Sequence, residues 1–299
     1  MTSTDELIPN RGIYQRFRVG ESQWKLTTYR FLRNPQGRVA LLGLGVLAFL
    51  AIFAGVLSVD PNAQDASARF LPPSWEHFFG VDQLRRDMFS RTIHGLRISL
   101  LISFVSVTVG SAIGIITGLI TSYVGGWVES LAMRFVDALL AFPGLLAALA
   151  IITILGPSIR NVGVAIAFFS IPSFTRLARG QMLSEKRNEY VIAAQTIGAG
   201  PFRVIFGHIA LNAIPPLLTQ VALFMSTAVL LEASLSFLGM GQQPPDPSLG
   251  GLISASKTFL RQAWWYPLFP GATLALLLVS LNLFADASNE ATRYASTNL

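Results

Sequence analysis

NEYVIAAQTIGAGP, residues 188–201, is a short half-polar segment in a chain otherwise built from long apolar runs. It reads as a helix over 189–198. Asn188 can cap its start, and Glu189 suits the positive end of a helix dipole. Tyr190, Ala193, Ala194 and Ile197 recur at i, i+3, i+4 and i+7, so they share one face. Gly198 suits the left-handed position just past a helix, and Gly200-Pro201 prevents continuation. Arg187 and Arg203 flank the segment. Its apolar face is small and mostly Ala, which gives little affinity for a bilayer surface.

The rest of the chain has the composition of a membrane protein. Of its 299 residues 52% are hydrophobic and 13% charged, against roughly 25% charged in ordinary globular chains. The net charge of +6 does not indicate a nucleic-acid partner, because the Lys and Arg cluster beside apolar runs. No cysteine is present, which excludes disulfides and thiolate metal sites. The first 38 residues are polar and the first apolar run is too long for a signal peptide. Ala66-Ser67-Ala68 therefore has the shape of a cleavage site by accident.

The run 39–59 is uncharged over 21 residues. At about 1.5 Å per residue it crosses a hydrocarbon core of about 30 Å. Further uncharged runs occupy 98–121, 138–155, 161–175, 213–231 and 263–285. They predict an all-α integral membrane protein with six transmembrane helices, at about 39–59, 98–121, 130–155, 161–177, 213–238 and 263–286. Residues 1–38 form an N-terminal segment, 39–287 the membrane domain, 178–212 a loop and 288–299 a tail. Residues 1–38 hold seven Lys or Arg, and the loop before the fifth span is also basic, with Arg176, Arg179, Lys186, Arg187 and Arg203. The positive-inside rule puts both segments, and with six spans both termini, in the cytoplasm. Residues 60–97 and 239–262 then face outward. Pro and Gly inside the spans, as in Phe142-Pro143-Gly144, Pro172 and Pro215-Pro216, are tolerable where neighbouring helices or a water-lined path satisfy the freed backbone. The alternative is simple kinking.

The chemistry of an autonomous machine is missing. None of Lys25, Lys186 and Lys257 follows a glycine, so there is no phosphate loop for ATP. His77, His94 and His208 lack metal-ligand spacing, and no nucleophile elbow is present. Asp137 sits at the entrance of the third span close to Arg134, where pairing is easy, and Glu232 lies near the outer end of the fifth. Both positions avoid most of the cost of a mid-bilayer charge. The internal symmetry and midplane ionisable groups of a secondary transporter are not apparent. Trp264-Trp265-Tyr266 reads as an interfacial aromatic belt.

These features resemble the membrane permease subunits of bacterial ABC importers, specifically the C-type subunit of the dipeptide/oligopeptide group, from about residue 35 to about residue 286. The resemblance is carried by Glu189-Tyr190-Val191-x-Ala193-Ala194 with Gly198-Ala199 and His208-Ile209. It extends over Phe79-Gly80-Val81-Asp82, Arg86-Asp87, Ser90-Arg91 and Gly95-x-Arg97-x-Ser99-Leu100. Ala141-Phe142-Pro143, Leu155-Gly156-Pro157-Ser158, Arg176-Leu177-x-Arg179-Gly180 and Glu232-Ala233-Ser234-Leu235-Ser236-Phe237-Leu238-Gly239-x-Gly241 complete it. The chain departs from the family pattern at Arg85, where Gly is usual, at Leu211, where Pro is usual, at Leu249, where Trp is usual, and in its tail.

The resemblance implies a type I importer permease fold in a bacterial inner membrane, with a non-catalytic role. It implies two ATPase subunits that hold ATP and Mg, a second homologous permease, an extracytoplasmic solute-binding protein and a peptide substrate. This chain itself would carry no cofactor and no metal. The opening segment then corresponds to the cytoplasmic coupling helix, docking on the ATPase through Glu189, Tyr190, Ala193, Ala194 and Gly198, with Arg187 and Arg203 beside acidic groups of that partner. Phe142, Pro143 and Ser170 are candidates for the translocation pathway, and Arg85, Arg86, Asp87 and Arg91 for receptor docking. Glutathione, nickel chelates or polyamines are alternative cargoes within the class. An ATP-independent channel or secondary transporter is the alternative outside it.

Overall fold

The computed structural model describes residues 23–64 and 66–297, with side chains described over 28–64 and 66–292. The first 22 residues of the N-terminal segment, Asp65 and residues 298–299 of the tail lie outside the described residues. Apart from one isolated bridge between Val81 and Asp87, the described regular structure is helical. The helices are α1 (Gln23–Arg33), α2 (Pro35–Ile52), α3 (Ala54–Leu57), α4 (Met88–Val124), α5 (Gly126–Leu140), α6 (Gly144–Leu155), α7 (Ile159–Glu185), α8 (Glu189–Thr196), α9 (Ala210–Phe237), α10 (Leu249–Ser256) and α11 (Trp265–Thr297). A π-helical turn, Arg203–Ile209, runs directly into α9.

Five helical runs are long and apolar enough to cross a membrane: α2, α4, α7, the π turn with α9, and α11. The pair α5 and α6 meets the same criterion together but is bent by 90°, which makes a sixth. The bend falls at Ala141-Phe142-Pro143. Pro143 has no N–H for the helical ladder and drives Phe142 away from helical backbone. The close approach of Gly144 to the Phe169 ring, where a Cβ would sit 2.6 Å away, lets α6 start directly against α7.

Caps and cross-links fix the directions of the helices. Asn34 starts α2 by accepting from the Gln36 N–H at 2.8 Å, with Pro35 at the first helical position. The same side chain donates to Glu290 on α11 at 2.7 Å. Lys186, just past α7, donates to the Tyr123 carbonyl on the last turn of α4 at 2.9 Å, so α4 and α7 finish at one end of the bundle. The start of α4 meets the segment after α3, where Ser90 Oγ bonds to the Val59 carbonyl. Asn34 and Glu290 therefore lie at the end where α4 finishes, which also carries α8. The opposite end carries residues 58–87, α10 and the start of α11.

Helices α4 and α7 run parallel, and glycines bring them together. Gly110 faces Ala167 and Ser170, Gly114 faces Ile171 and Phe174, and Gly118 faces Thr175 and Ala178. A Cβ on Gly114 would lie 2.6 Å from the Ile171 carbonyl oxygen, so only glycine permits this approach. Inside a bilayer the hydrophobic effect does not drive helices together, and close van der Waals packing through small residues takes its place. Val107, Val162, Ile166 and Phe174 extend the contact to α6 and α9 through Ile152 and Phe224.

Helix ends differ from the ends of the uncharged runs for a physical reason. α4 begins at Met88, well before residue 98, because Asp87 caps it by accepting from the Ser90 N–H at 2.8 Å. Arg91 on its first turns donates to the Pro61 and Pro245 carbonyls. Likewise α7 continues to Glu185, beyond residue 177, as Arg179 bonds to Glu129 on α5 at 2.6 Å. A charge ends an apolar run without ending a helix.

Two expectations about aromatic and acidic residues are corrected. Of Trp264-Trp265-Tyr266 only Trp264 is exposed. Trp265 and Tyr266 are buried with Met88, Leu252 and Ala263 beneath the 58–87 loop, so they are core and not a belt. Asp137 pairs with Arg176 across to α7, not with Arg134 one turn away, because α5 lies against α7 and turns its acidic side to that helix.

Candidate functional site

The α8 end presents the segment identified from sequence. The helix runs Glu189–Thr196, slightly shorter than the expected 189–198. Asn188 occupies the cap position, yet its side chain makes no capping bond and instead donates to Glu185 at 2.8 Å. Tyr190 Oη donates to the same carboxylate at 2.5 Å. Partial burial, with this bond to Glu185, pushes the Tyr190 hydroxyl pKa up, so it stays a proton donor at neutral pH. At the other terminus Gly198 has φ +88°. The Gly198 N–H bonds to Gln195 and the Ala199 N–H to Ala194, both at 3.0 Å, completing a Schellman cap.

The two faces of α8 have different uses. Val191 and Ala194 are buried, Val191 in a cluster with Leu119, Met182, Val204, Ile209 and Ala213 from the spanning helices. Ala194 is therefore not part of an open approach surface, as the sequence reading had it, because the helix needs one face to seat on its own chain. Glu189, Tyr190, Ala193, Gly198, Arg187 and Arg203 are exposed. Beside them lie Ile192, Ile197, which is 87% exposed, and Phe202, which is 76% exposed. Ile192 and Phe202 are missing from the sequence-based set, since periodicity alone marked Tyr190 and Ile197 as the apolar positions. A rigidly seated helix with exposed branched and aromatic side chains among charges is the composition of a protein contact.

The three pathway candidates separate. Phe142 and Pro143 are exposed at the α5–α6 bend. Ser170 is fully buried in the α4–α7 interface, where its Oγ donates to the Ala167 carbonyl at 2.8 Å against Gly110. It is a packing residue, not a lining residue, because the glycine stripe closes that seam.

The docking candidates at the opposite end separate too. Asp82 is fully buried and accepts from Arg86 Nε at 2.7 Å and from the Leu84 and Arg86 N–H groups at 2.7 and 3.0 Å. Arg91 lies 3.7 Å from the same carboxylate and donates to the Pro61 carbonyl at 2.8 Å and the Pro245 carbonyl at 3.3 Å. Asp87 caps α4 and pairs with His77 at 2.9 Å. Arg86, Asp87 and Arg91 thus build the loop from within. Arg85 alone of the four is exposed, with φ 61°.

The family is identified by comparison. Residues 110–293 match the model of the binding-protein-dependent transport system inner membrane component, and residues 22–73 match the N-terminal transmembrane domain of oligopeptide transport permease C. The chain belongs to this permease family. The dipeptide transport system permease protein DppC of Alkalihalophilus pseudofirmus is 38% identical over 271 residues, covering 90% of this permease and 89% of the relative. A probable D,D-dipeptide transport system permease of Escherichia coli is 40% identical over 242 residues, covering 81% of each chain. The glutathione transport system permease GsiD of Pectobacterium atrosepticum is 37% identical over 272 residues, covering 90% of each. Among solved structures, a chain of the inward-facing MetNI methionine ABC transporter superposes with a TM-score of 0.56 at 18% identity, covering 70% of this permease and 97% of that chain. The fold is that of a type I importer permease, all-helical and integral to the membrane.

One buried group in the permease revises the sequence reading. Glu232 does lie near the end of α9, which finishes at Phe237, but it is 0% exposed. Ser99 on α4 donates to one of its oxygens at 2.5 Å and Ser236 on its own helix to the other at 2.7 Å. The hydroxyls, drawn from two helices, meet the demand of the carboxyl group that solvent meets elsewhere. Ser99 and Glu232 are far apart in sequence, which is why the pairing was not visible there.

Proposed function

We propose that this permease forms half of the translocation pathway of an ATP-driven importer of di- or oligopeptides, and that α8 is its coupling helix. The observation that carries the coupling reading is the exposed apolar surface of Ile192, Ile197 and Phe202 beside Arg187 and Arg203. Similarity to dipeptide permeases over about nine-tenths of the chain supports the cargo. The glutathione relative at 37% identity supports a second reading, with glutathione as the peptide carried. A second permease of the same kind would complete the pathway. Two ATPase subunits would bind ATP and Mg at the α8 end, and a solute-binding protein would deliver cargo at the opposite end. The α8 end would then be cytoplasmic, a reading supported by the basic counts of residues 1–38 and of the α7–α9 segment.

In this mechanism α8 receives force from the closing ATPase pair. Val191 seats it on the cluster of α4, α7 and the π turn, with Ala194 buried on the same face, so displacement passes to α7 and α9 and not into a loose loop. The π turn, Arg203–Ile209, ahead of Pro215 and Pro216 is a place for α9 to change its path without breaking. The packed α4–α7 pair moves as one body, giving a rigid-body change between inward and outward states. Ala193→Arg tests the contact, because Ala193 is exposed and the change leaves the seated face intact. Substrate-stimulated ATP hydrolysis by the assembled complex should fall to its basal rate. Undiminished stimulation would remove α8 from the coupling path. Cargo is tested by loading proteoliposomes that contain the whole transporter with dipeptides, longer peptides and glutathione in parallel. Liposomes holding this chain alone should accumulate none of them.

A further inference from the structure

A groove of about 370 Å³ opens at the α8 end between α1, α2, α9 and α11. Phe31 and Leu32 of α1, Leu41 of α2, Leu218 of α9 and Phe284 of α11 form its apolar walls. Phe31 and Phe284 meet edge to face, with ring centroids 5.1 Å apart. Thr219 and Thr292 line it too, but their hydroxyls are turned onto the Pro215 and Ser288 carbonyls at 3.2 and 2.8 Å. The groove is open on the outer surface of the chain: Leu32 is 49% exposed, Leu41 41% and Leu218 51%. Leu41 lies about 10 Å along α2 from the Asn34 cap, whereas the headgroup layer of a bilayer is about 5–8 Å thick on each side. With the polar Asn34–Glu290 pair at the surface, the groove reaches from headgroup level into the acyl chains.

The rim of the groove is basic. Arg38 is exposed on the same face of α2 as Leu41, one turn nearer Asn34. No carboxylate among the described residues lies within ion-pair range of it. Arg33, next to Leu32, is exposed and donates to the Tyr29 hydroxyl at 3.1 Å, a neutral partner that leaves its charge unmatched. The acids of α11 point elsewhere. Asp286 and Glu290 fall about 200° around the helix from the groove residues Phe284 and Ser288, and Glu290 is taken by Asn34 at 2.7 Å.

We propose that this groove binds an anionic phospholipid of the leaflet at the α8 end, with one acyl chain along Leu41, Leu218 and Phe284 and the phosphate at Arg38 and Arg33. An apolar trough beneath two cations has the layout of such a lipid, whose charge stands one headgroup layer above its chains. Basic residues beside a span draw anionic lipids, and the planar guanidinium matches a phosphate. A zwitterionic lipid fills the trough equally well but brings its own cation to the two arginines. A covering protein is the remaining occupant. It would have to carry carboxylates to Arg38 and Arg33 at the bilayer surface, where a lipid phosphate already stands. Lipid binding here needs only the membrane fold and holds whichever cargo the transporter carries.

The test places the complete transporter in phosphatidylcholine nanodiscs doped with a photoactivatable phosphatidylglycerol or, in parallel, with a phosphatidylcholine bearing the same photoactivatable chain. Crosslinked positions are read by mass spectrometry. Leu41 and Leu218 should take at least fivefold more of the phosphatidylglycerol probe. Val46, exposed on α2 away from the groove, should take the two probes equally. Arg38→Glu should bring the probes level at Leu41 and Leu218, while Arg38→Lys, which keeps the charge, should keep most of the preference. Equal labelling of the groove by both probes in the wild type would reduce it to ordinary bilayer contact and overturn the proposal. A preference equally strong at Val46, or one that survives Arg38→Glu, would overturn it as a general enrichment around the protein. No labelling of the groove by either probe would show that protein covers it, and would overturn the proposal too.

Discussion

The loop of residues 58–87 and the segment of residues 186–202 sit at opposite ends of the same helices, and both are rich in charge. The first turns part of its charge inward, while Asp60, Arg69, Glu76 and Arg85 stay exposed. Asp82, Arg86, Arg91, Asp87 and His77 are turned inward and tie the chain to the top of α4. The second turns Arg187 and Glu189 outward and seats itself through Val191 and Ala194. A charged segment therefore has two physical uses. Where the backbone is long and irregular, its many N–H and C=O groups need internal partners. Where a short helix satisfies its own backbone, the side chains remain free to meet another protein.

Asp82→Ala should do the most damage, because it leaves Arg86 and Arg91 buried without their shared carboxylate. Breaking such a pair costs about 3–5 kcal/mol. The purified permease complex should show a large drop in melting temperature. An unchanged melt would mean that the loop is not held from within. Ala194→Arg comes next, since it forces a charge into the seat of α8, whereas Ala193→Arg one residue away should change stability by less than about 0.5 kcal/mol. Equal melting temperatures for the two variants would contradict the two-faced helix. Gly114→Val presses α4 off α7 and should cost about 1–3 kcal/mol, read from the melt of the purified permease. Glu232→Leu strands the hydroxyls of Ser99 and Ser236, at about 1–3 kcal/mol. Glu232→Gln, which can bond to both hydroxyls, should lose under about 1 kcal/mol. A glutamine variant as unstable as the leucine variant would show that the negative charge matters and not the hydrogen bonds.

Much of the architecture was legible in the residues. A membrane span needs a long uncharged run, and such runs are visible one residue at a time. The 90° bend at Phe142-Pro143-Gly144 and the Gly198 cap were also announced by residue type, because proline and glycine act on the backbone where they stand. The parallel seam of α4 and α7 had a signal that the spans' hydropathy hid, namely Gly110, Gly114 and Gly118 at intervals of four. The sites were read less well. Of Arg85, Arg86, Asp87 and Arg91, three proved to be scaffold, and Ser170 lies in a closed seam. Sequence gives the polarity of a side chain but not the partner that uses it.

Local backbone chemistry thus set the number of apolar runs, the breaks within them and the short helix at 189–196, since each depends on residues a few positions apart. Folding in three dimensions set which charges are consumed and which are offered. Glu232 finds Ser99 on another helix, Asp137 finds Arg176, and Asp82 gathers Arg86 and Arg91, leaving Arg85 and Trp75 outside. The reason is that a hydrogen bond or ion pair is satisfied by proximity in space, and the spacing of residues along the chain does not carry that distance.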